Sequence, residues 1–327
     1  MTYCVITSIQ KPTIAVRKFN KLFGKKLIVV SDLKTPHLNK NEKIDYFDLK
    51  SQKESFPKFN KLLPYNNYSR KNLGYLLAIK NGADKIFETD DDNIPYANFR
   101  LNENSLIKGN FLNKNSWTNI YSYFTKEKIW PRGLSLYHTK SKISKFELKE
   151  KEKRSYINQY VVNKDPDVDA IYRLILDKHV YFNKRIPLIL GKKTVSPFNS
   201  QSTLWFKKIF PLLYLPSYSS FRTCDIWRSL VAQVCLWKIN SHVTFFSPNS
   251  YQIRNPHDYL KDFIDEIPGF VNNDKIVNKL LRCDLSSDIK DLQNNLLKCW
   301  KSIGSFLSNP DKELKLCYAF LNEVSKL

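Results

Sequence analysis

The stretch KIFETDDD, residues 85–92, constrains this chain more than any other part of it. A short apolar run passes without a break into three consecutive carboxylates. Three like charges side by side repel one another and cannot all stay ionised in a buried place without a counter-charge. An exposed acidic turn would solve the problem by hydration, but the surrounding sequence offers a different setting. Residues 69–83 carry Leu73, Leu76, Leu77 and Lys80 at helical spacing, with Ser69 as N-cap and Gly82 as the stop. Earlier runs at 3–9 and at 26–31 (KLIVVS) read as strands, the second apolar enough to be covered on both faces. A further short strand is expected at 44–49. Strand, helix and strand over short connections build right-handed parallel units. The expected class is therefore α/β, a mixed and mainly parallel sheet flanked by helices. Ligands of such sheets sit just outside the carboxyl ends of the strands, where the acidic triplet falls.

A hard divalent cation relieves the repulsion. Mg²⁺ takes one or two carboxylates and fills its shell with phosphate oxygens and water. Alternate residues of an extended segment share a face, so Asp90 and Asp92 are expected to point together, with Asp91 turned away or toward an acceptor. Arg70 and Lys71 open the preceding helix, where the macrodipole disfavours cations. Beside free backbone N–H groups they make either a diphosphate site or ordinary solvated charge. In KDPDVDAIYRL, Asp165, Asp167 and Asp169 follow one another around a turn at Pro166, and capping of a helix accounts for one of them. The others suit a role at a sugar, holding hydroxyls, accepting a proton or facing an oxocarbenium-like centre. Asp225 lies between Arg222 and Arg228, the pattern of an ion-pair network. His257, in RNPHDYL, is a candidate metal or phosphate ligand.

The chain has 327 residues and a formal net charge of +22. That excess fits simple solubility, an anionic membrane surface, or nucleic acid. The last needs a basic stripe with stacking aromatics, whereas the cations here are scattered. The densest run, 145–154, alternates with Glu147, Glu150 and Glu152 and reads as a solvated helix face with paired charges. Nucleic acid is therefore not expected as a partner. Six cysteines form no CxxC pair and no zinc spacing, so free, mostly buried thiols in a reducing compartment are expected. No signal peptide and no apolar stretch of membrane-spanning length is apparent, which places the protein in the cytoplasm, peripheral to a membrane at most. From 196 the pattern turns aromatic, with a helix expected at 225–237 and a strand at 242–246. The last sixty or so residues read as helices. There, Ile289, Leu292, Leu296, Trp300 and Ile303 form a stripe that suits packing on the main domain, or else a partner or membrane face.

Six segments together carry a family resemblance: LPYNNYSRKNLGYLLAIKNGADKIFETDDDN, WPRGLSL, DPDVDAIYRL, FNSQSTLWF, LLYLPSYSSFRTCDIWRSLVAQ and QIRNPHDYLKDFIDE. In this order they resemble the STELLO-type glycosyltransferases and, more distantly, the reversibly glycosylated polypeptides, the UDP-arabinopyranose mutases. The resemblance runs over residues 2–266. It implies a GT-A fold for 1–266 as a nucleotide-sugar-binding catalytic domain, with 267–327 a helical extension outside the match. It further implies a DXD-like motif at Asp90, Asp91 and Asp92, contacting ribose and a Mn²⁺ or Mg²⁺ on the nucleotide diphosphate. Asp32 is implied near the base or ribose, with Arg70 and Lys71 near the phosphates. Thr7, at the end of the first strand, joins the expected nucleotide-sugar-binding set of Asp32, Arg70, Lys71, Asp90 and Asp91. Asp92 and His257 are the expected metal ligands, and Asp167, Asp169 and Asp225 the catalytic carboxylates.

The expected activity is metal-dependent transfer of a sugar from a nucleoside-diphosphate sugar, a UDP-sugar by the resemblance. The acceptor would be a glycan or lipid-linked hydroxyl in cell-surface polysaccharide synthesis. A sugar-nucleotide mutase, which needs no separate acceptor, and a non-catalytic binding partner of another glycosyltransferase stand as alternatives.

Overall fold

A computed structural model describes residues 1–37 and 44–327. The chain begins β1 (Thr2–Thr7), α1 (Ile14–Phe23), β2 (Leu27–Val30), β3 (Tyr46–Phe47), α2 (Leu49–Ser55), α3 (Pro57–Leu62), α4 (Lys71–Lys80) and β4 (Lys85–Thr89). β1 runs parallel to β2 on one side and to β4 on the other, and β3 extends the β2 side. The chain thus adds strands outward from β1 and then crosses back over α4 to its opposite edge. A crevice opens at the carboxyl ends where the order reverses. α4 presses close to the sheet, since a Cβ on Gly74 would lie 2.6 Å from side-chain atoms of both Val5 and Val30. Only a residue without a side chain permits that approach.

The helix expected at 69–83 needs one correction. Tyr68–Arg70 is a 3₁₀ turn capped by Asn67, and the α-helix starts at Lys71. Ser69 is not the cap; its hydroxyl shares a hydrogen bond with Ser217 Oγ at 2.7 Å. The stop stands, with Gly82 at φ +78° just past the helix.

The chain continues through β5 (Asn93–Pro95), β6 (Leu106–Leu112), α5 (Tyr121–Phe124), β7 (Leu148–Tyr160), α6 (Ala170–Ile175), β8 (Leu188–Leu190) and β9 (Ser202–Phe206). It closes with α7 (Cys224–Lys238), β10 (His242–Phe246), β11 (Ser250–Gln252), α8 (Tyr259–Leu281), α9 (Leu292–Ser302) and α10 (Pro310–Lys326). β9 joins the parallel half to the rest by pairing antiparallel with both β4 and β7. Beyond it, pairings run β7–β6–β8–β10 and return to β7. The sheet is mixed, and its uninterrupted parallel part is β3–β2–β1–β4, the part beneath the crevice.

The charged run at 145–154 is not a helix face. Its first residues form a 3₁₀ turn and the rest is the exposed half of β7, paired with β6. Lys149, Lys151 and Lys153 alternate with Glu150 and Glu152 at the period of a strand, and Lys108 of β6 reaches Glu150 at 2.9 Å.

The C-terminal helices are core. Leu292, Leu296, Trp300 and Ile303 are buried, with Ile289 exposed at the edge of the stripe. α9 packs between α7 and α10, and α8 runs without a break through the boundary expected at 266/267. All six cysteines are free; Cys283 is half-buried and the others are buried. Among the described residues no helix is long and apolar enough to cross a membrane.

Two buried acids tie these layers together. Glu88 of β4 and Arg228 of α7, 0% and 1% exposed, pair at 2.7 Å, with Trp205 Nε1 and Tyr75 Oη also donating to the carboxylate. Replacing Arg228 by Met leaves Glu88 buried without its counter-charge, and denaturant unfolding should show a loss of about 3–5 kcal/mol. Glu313 of α10 accepts from Tyr214 Oη and from the backbone N–H groups of Ser217 and Tyr218. Burial pushes its carboxyl up from 4.5 to about 7, against the pull of those donors. The folded protein therefore keeps a proton that the unfolded chain has released. This contribution to stability is full below pH 4.5 and is lost as pH rises through about 7. Glu313→Gln should flatten the fall in unfolding midpoint over that window; an unchanged slope would count against the assignment.

Candidate active site

A cleft of about 1020 Å³ opens at the carboxyl ends of β1, β2 and β4. Thr7, Asp32, Arg70, Asp90, Asp91, Asp92, Asp167, Asp225 and His257 all line it. Of the residues singled out from the sequence, Lys71 and Asp169 lie behind its walls.

The triplet is not an extension of its strand. β4 ends at Thr89 and residues 90–92 turn, with Asn93 N donating to Asp90 O at 3.3 Å. Strand alternation therefore does not set where the carboxylates point, and each takes its own partners. Asp90 accepts from Tyr68 Oη at 2.7 Å and Lys71 Nζ at 3.2 Å. Asp91 accepts from Ser8 Oγ at 2.6 Å, at the end of β1. Asp92 accepts from Gln252 Nε2 at 2.8 Å through Oδ2 and is also favoured in its ionised form by the Asn255 backbone N–H, while its Oδ1 is buried with no close hydrogen-bond partner. Burial raises all three carboxyls. In Asp92, burial and then the charges of Asp90 and Asp91 raise it to about 7.

The adjacent cations have separate tasks. Lys71 is wholly buried and donates to Thr89 O at 2.8 Å and Tyr68 Oη at 2.7 Å besides Asp90. It is a counter-charge beneath the triplet; a place near the phosphates was expected of it, and no part of its surface is exposed to the cleft. Arg70 donates to Gln52 and Asn60, its Nε forms an ion pair with Asp32 at 3.8 Å, and Nε and Nη1 are buried without a hydrogen-bond acceptor. Asp32 accepts the backbone N–H groups of Leu33 at 2.7 Å and Asn67 at 3.1 Å, which fixes it at the end of β2.

The opposite wall is organised by Arg132. Its Nε and Nη2 grip Asp167 at 2.7 and 2.9 Å. Its Nη1 and Nη2 also reach Asp225 at 3.1 and 3.0 Å. Asn199 Nδ2 donates to Asp167 at 2.7 Å, and Ser200 N to Asp225 at 3.2 Å. Burial opposes ionisation of Asp225, but the guanidinium of Arg132 wins and holds the carboxyl below its ordinary range. The expected bracket of Asp225 by Arg222 and Arg228 does not form. Arg228 pairs with Glu88, and Arg222 with Glu266 at 2.8 Å. Helical geometry explains this, since α7 starts at Cys224 and directs its first turns to different layers.

A belt of hydrogen bonds joins the two walls. Tyr68 Oη contacts both Asp90 and, at 2.6 Å, Ser200 Oγ, which in turn lies 3.3 Å from Asp225. Asp169 stands outside the belt. It caps α6 by accepting from Tyr172 N at 2.8 Å, and its other oxygen accepts from Trp130 Nε1 at 2.6 Å. Both oxygens are committed and the residue is fully buried, so it is an unsuitable proton acceptor for a bound ligand. His257 Nδ1 lies 3.0 Å from Asp262, which Arg254 also contacts at 2.9 Å; Arg254 Nε is buried without a partner.

Sequence reasoning missed Tyr68, Arg132, Asn199, Ser200, Gln252 and Arg254. Each sits inside one of the motif segments quoted above, and those segments were the available signal. Spacing assigns them no role, because their partners lie far away along the chain.

The residues present fit a divalent cation. Among the described residues no cluster of three or more His, Cys, Asp or Glu side chains forms a metal cage. A cation that draws most of its shell from phosphate and water needs fewer protein ligands. Asp92 supplies an unpartnered, buried carboxylate oxygen, with two further acids beside it. His257 lines the same cleft.

Residues 222–327 match the family model described as STELLO glycosyltransferases. Over 298 residues, 85% of its length, the chain is 24% identical to "Probable glycosyltransferase STELLO1" of Arabidopsis thaliana. It is likewise 24% identical over 299 residues to "Probable glycosyltransferase STELLO2" of the same plant. The chain spans 38% and 39% of the lengths of these relatives. The family match takes in α8, α9 and α10, so the helices after residue 266, which the resemblance left out, lie within the matched region. By the family match and both alignments, this chain is similar to the STELLO glycosyltransferases, and its residues 222–327 match the region their family model describes.

Proposed function

We propose that the cleft transfers a glycosyl group from a nucleoside-diphosphate sugar, a UDP-sugar by resemblance, to a hydroxyl of a glycan or lipid-linked acceptor. The transfer depends on Mn²⁺ or Mg²⁺ and serves cell-surface polysaccharide synthesis. The unpartnered Oδ1 of Asp92, buried in an acidic triplet at the strand ends, carries this reading. Such an oxygen is costly unless a cation meets it.

Asp92 and His257 would hold the ion, which when bound offsets charge on a departing diphosphate. Arg70 and Arg254 present unpartnered N–H groups from two sides of the cleft and suit the phosphate oxygens. Asp32, fixed by two backbone N–H groups, faces the nucleoside end. Lys71 and Tyr68 hold Asp90 without occupying the cleft's open volume. Asp167 and Asp225 face the sugar and acceptor. A carboxylate kept as acidic as Asp225 is a poor proton acceptor and a good partner for positive charge. Its role is therefore to stabilise an oxocarbenium-like centre and orient the attacking hydroxyl.

A thermal-shift series of nucleotide sugars tests the reading. A true donor should raise the melting temperature in the presence of Mn²⁺ and much less in its absence. Asp92→Asn should abolish the metal-dependent part. No stabilisation by any nucleotide sugar, with or without metal, would overturn the reading. Kinetics then separate the carboxylates. Asp225→Asn should lower turnover on the order of 100-fold, while Asp169→Asn should stay within roughly threefold of the parent. Asp169→Asn should still cost about 1–2 kcal/mol of stability, because one amide oxygen cannot serve both the Tyr172 and the Trp130 N–H donors.

A further inference from the structure

α8 has three faces. Asp262, Glu266, Gly269, Asn273, Ile276 and Leu280 are buried against the body of the protein. Lys261, Asp262 and Asp265 line the cleft. Opposite the core, Leu260, Ile264, Ile267 and Val271 are 66, 64, 41 and 55% exposed. At 3.6 residues per turn these four fall within an arc of about 60°, a continuous apolar ridge facing water. Continuing the ridge toward the helix end come Lys275 and Arg282, both exposed. Beside it, Ser135 Oγ donates to Asp274 at 2.8 Å and so fixes the next turn against α8. That turn exposes Leu136 and leaves Tyr137 91% exposed, and Lys140 and Lys142 follow, also exposed.

We propose that this face docks the protein on an anionic phospholipid bilayer, with the ridge of α8 and Tyr137 entering the interface and the lysines and Arg282 meeting the headgroups. An interfacial helix needs an apolar face, cationic flanks and an amphipathic aromatic at headgroup level, and all three occur here. Charge decides among the other occupants. A second copy would bring two such basic flanks together on a chain of net charge +22, which opposes pairing. A protein partner would have to enclose a convex aliphatic ridge that offers no Trp and no buried arginine anchor. The cleft opens off the adjacent face of the same helix, so docking brings the site to the surface where a lipid-linked acceptor resides. That last consequence rests on the function proposed above, whereas the docking does not.

Co-sedimentation tests it without donor or turnover, so its outcome is independent of the enzymatic reading. The protein should sediment with phosphatidylcholine vesicles containing phosphatidylserine, far less with phosphatidylcholine alone, and should be released by added salt. The double variant Ile264→Glu with Ile267→Glu should lower partitioning at least about tenfold while keeping the parent's melting temperature. Lys275→Glu with Arg282→Glu should remove the preference for anionic vesicles. No sedimentation with anionic vesicles overturns the proposal, as does sedimentation that both variants leave unchanged. Light scattering showing a concentration-dependent dimer that the Ile264/Ile267 variant dissolves overturns it in favour of a second copy.

Discussion

Arg132 grips two buried aspartates that come from separate parts of the chain, and the far wall of the cleft takes its form from that contact. Taking three charges out of water is expensive, and their attraction offsets the cost only when the geometry is close and the remaining lone pairs are filled. Asn199 and Ser200 fill them. As a result the start of α7, the 165–169 turn and the segment before β9 cannot shift independently. On the near wall Lys71 has the matching task for Asp90, and Tyr68 with Ser200 joins the two centres. The cleft thus has acidic groups on both walls, with Arg132 in one wall and Lys71 behind the other as their counter-charges.

This arrangement separates two kinds of basic residue that a sequence shows as one. Lys71, Arg132 and Arg228 are paired in buried sites and hold the framework. Arg70 and Arg254 are also largely buried and, like Arg228, retain N–H groups without acceptors, but unlike Arg228 they line the cleft. An unpaired buried donor is costly, so those two are the groups with most to gain from an anion.

The sequence makes the parallel half of the fold legible because its strands are apolar and its connections short, and β4 falls at the expected residues 85–89. The same local rules fail where charge patterns mislead. Residues 145–154 alternate in sign, which suits a helix face or an exposed strand, and pairing with β6 decides the matter. The acidic triplet is legible as a site, but not the directions of its carboxylates, since these depend on Ser8, Lys71 and Gln252. Asp167 and Asp169 lie two residues apart in one motif, yet one faces the cleft and the other caps a helix. Only the folded positions of Arg132 and Trp130 tell them apart.

β11 pairs with β5 immediately after the triplet, and Ile253 N donates to Asp92 O at 3.1 Å while Gln252 holds its side chain. The residues joined by that side-chain bond are 160 apart along the chain. Contacts of such separation close only when both segments are present, and they close late. During synthesis the amino-terminal strands can form a sheet while the ribosome still holds the partner of Asp92. The acidic edge of the cleft therefore stays incomplete until residue 252 has emerged, and a product truncated before it would carry the acidic triplet without the arm that orders it.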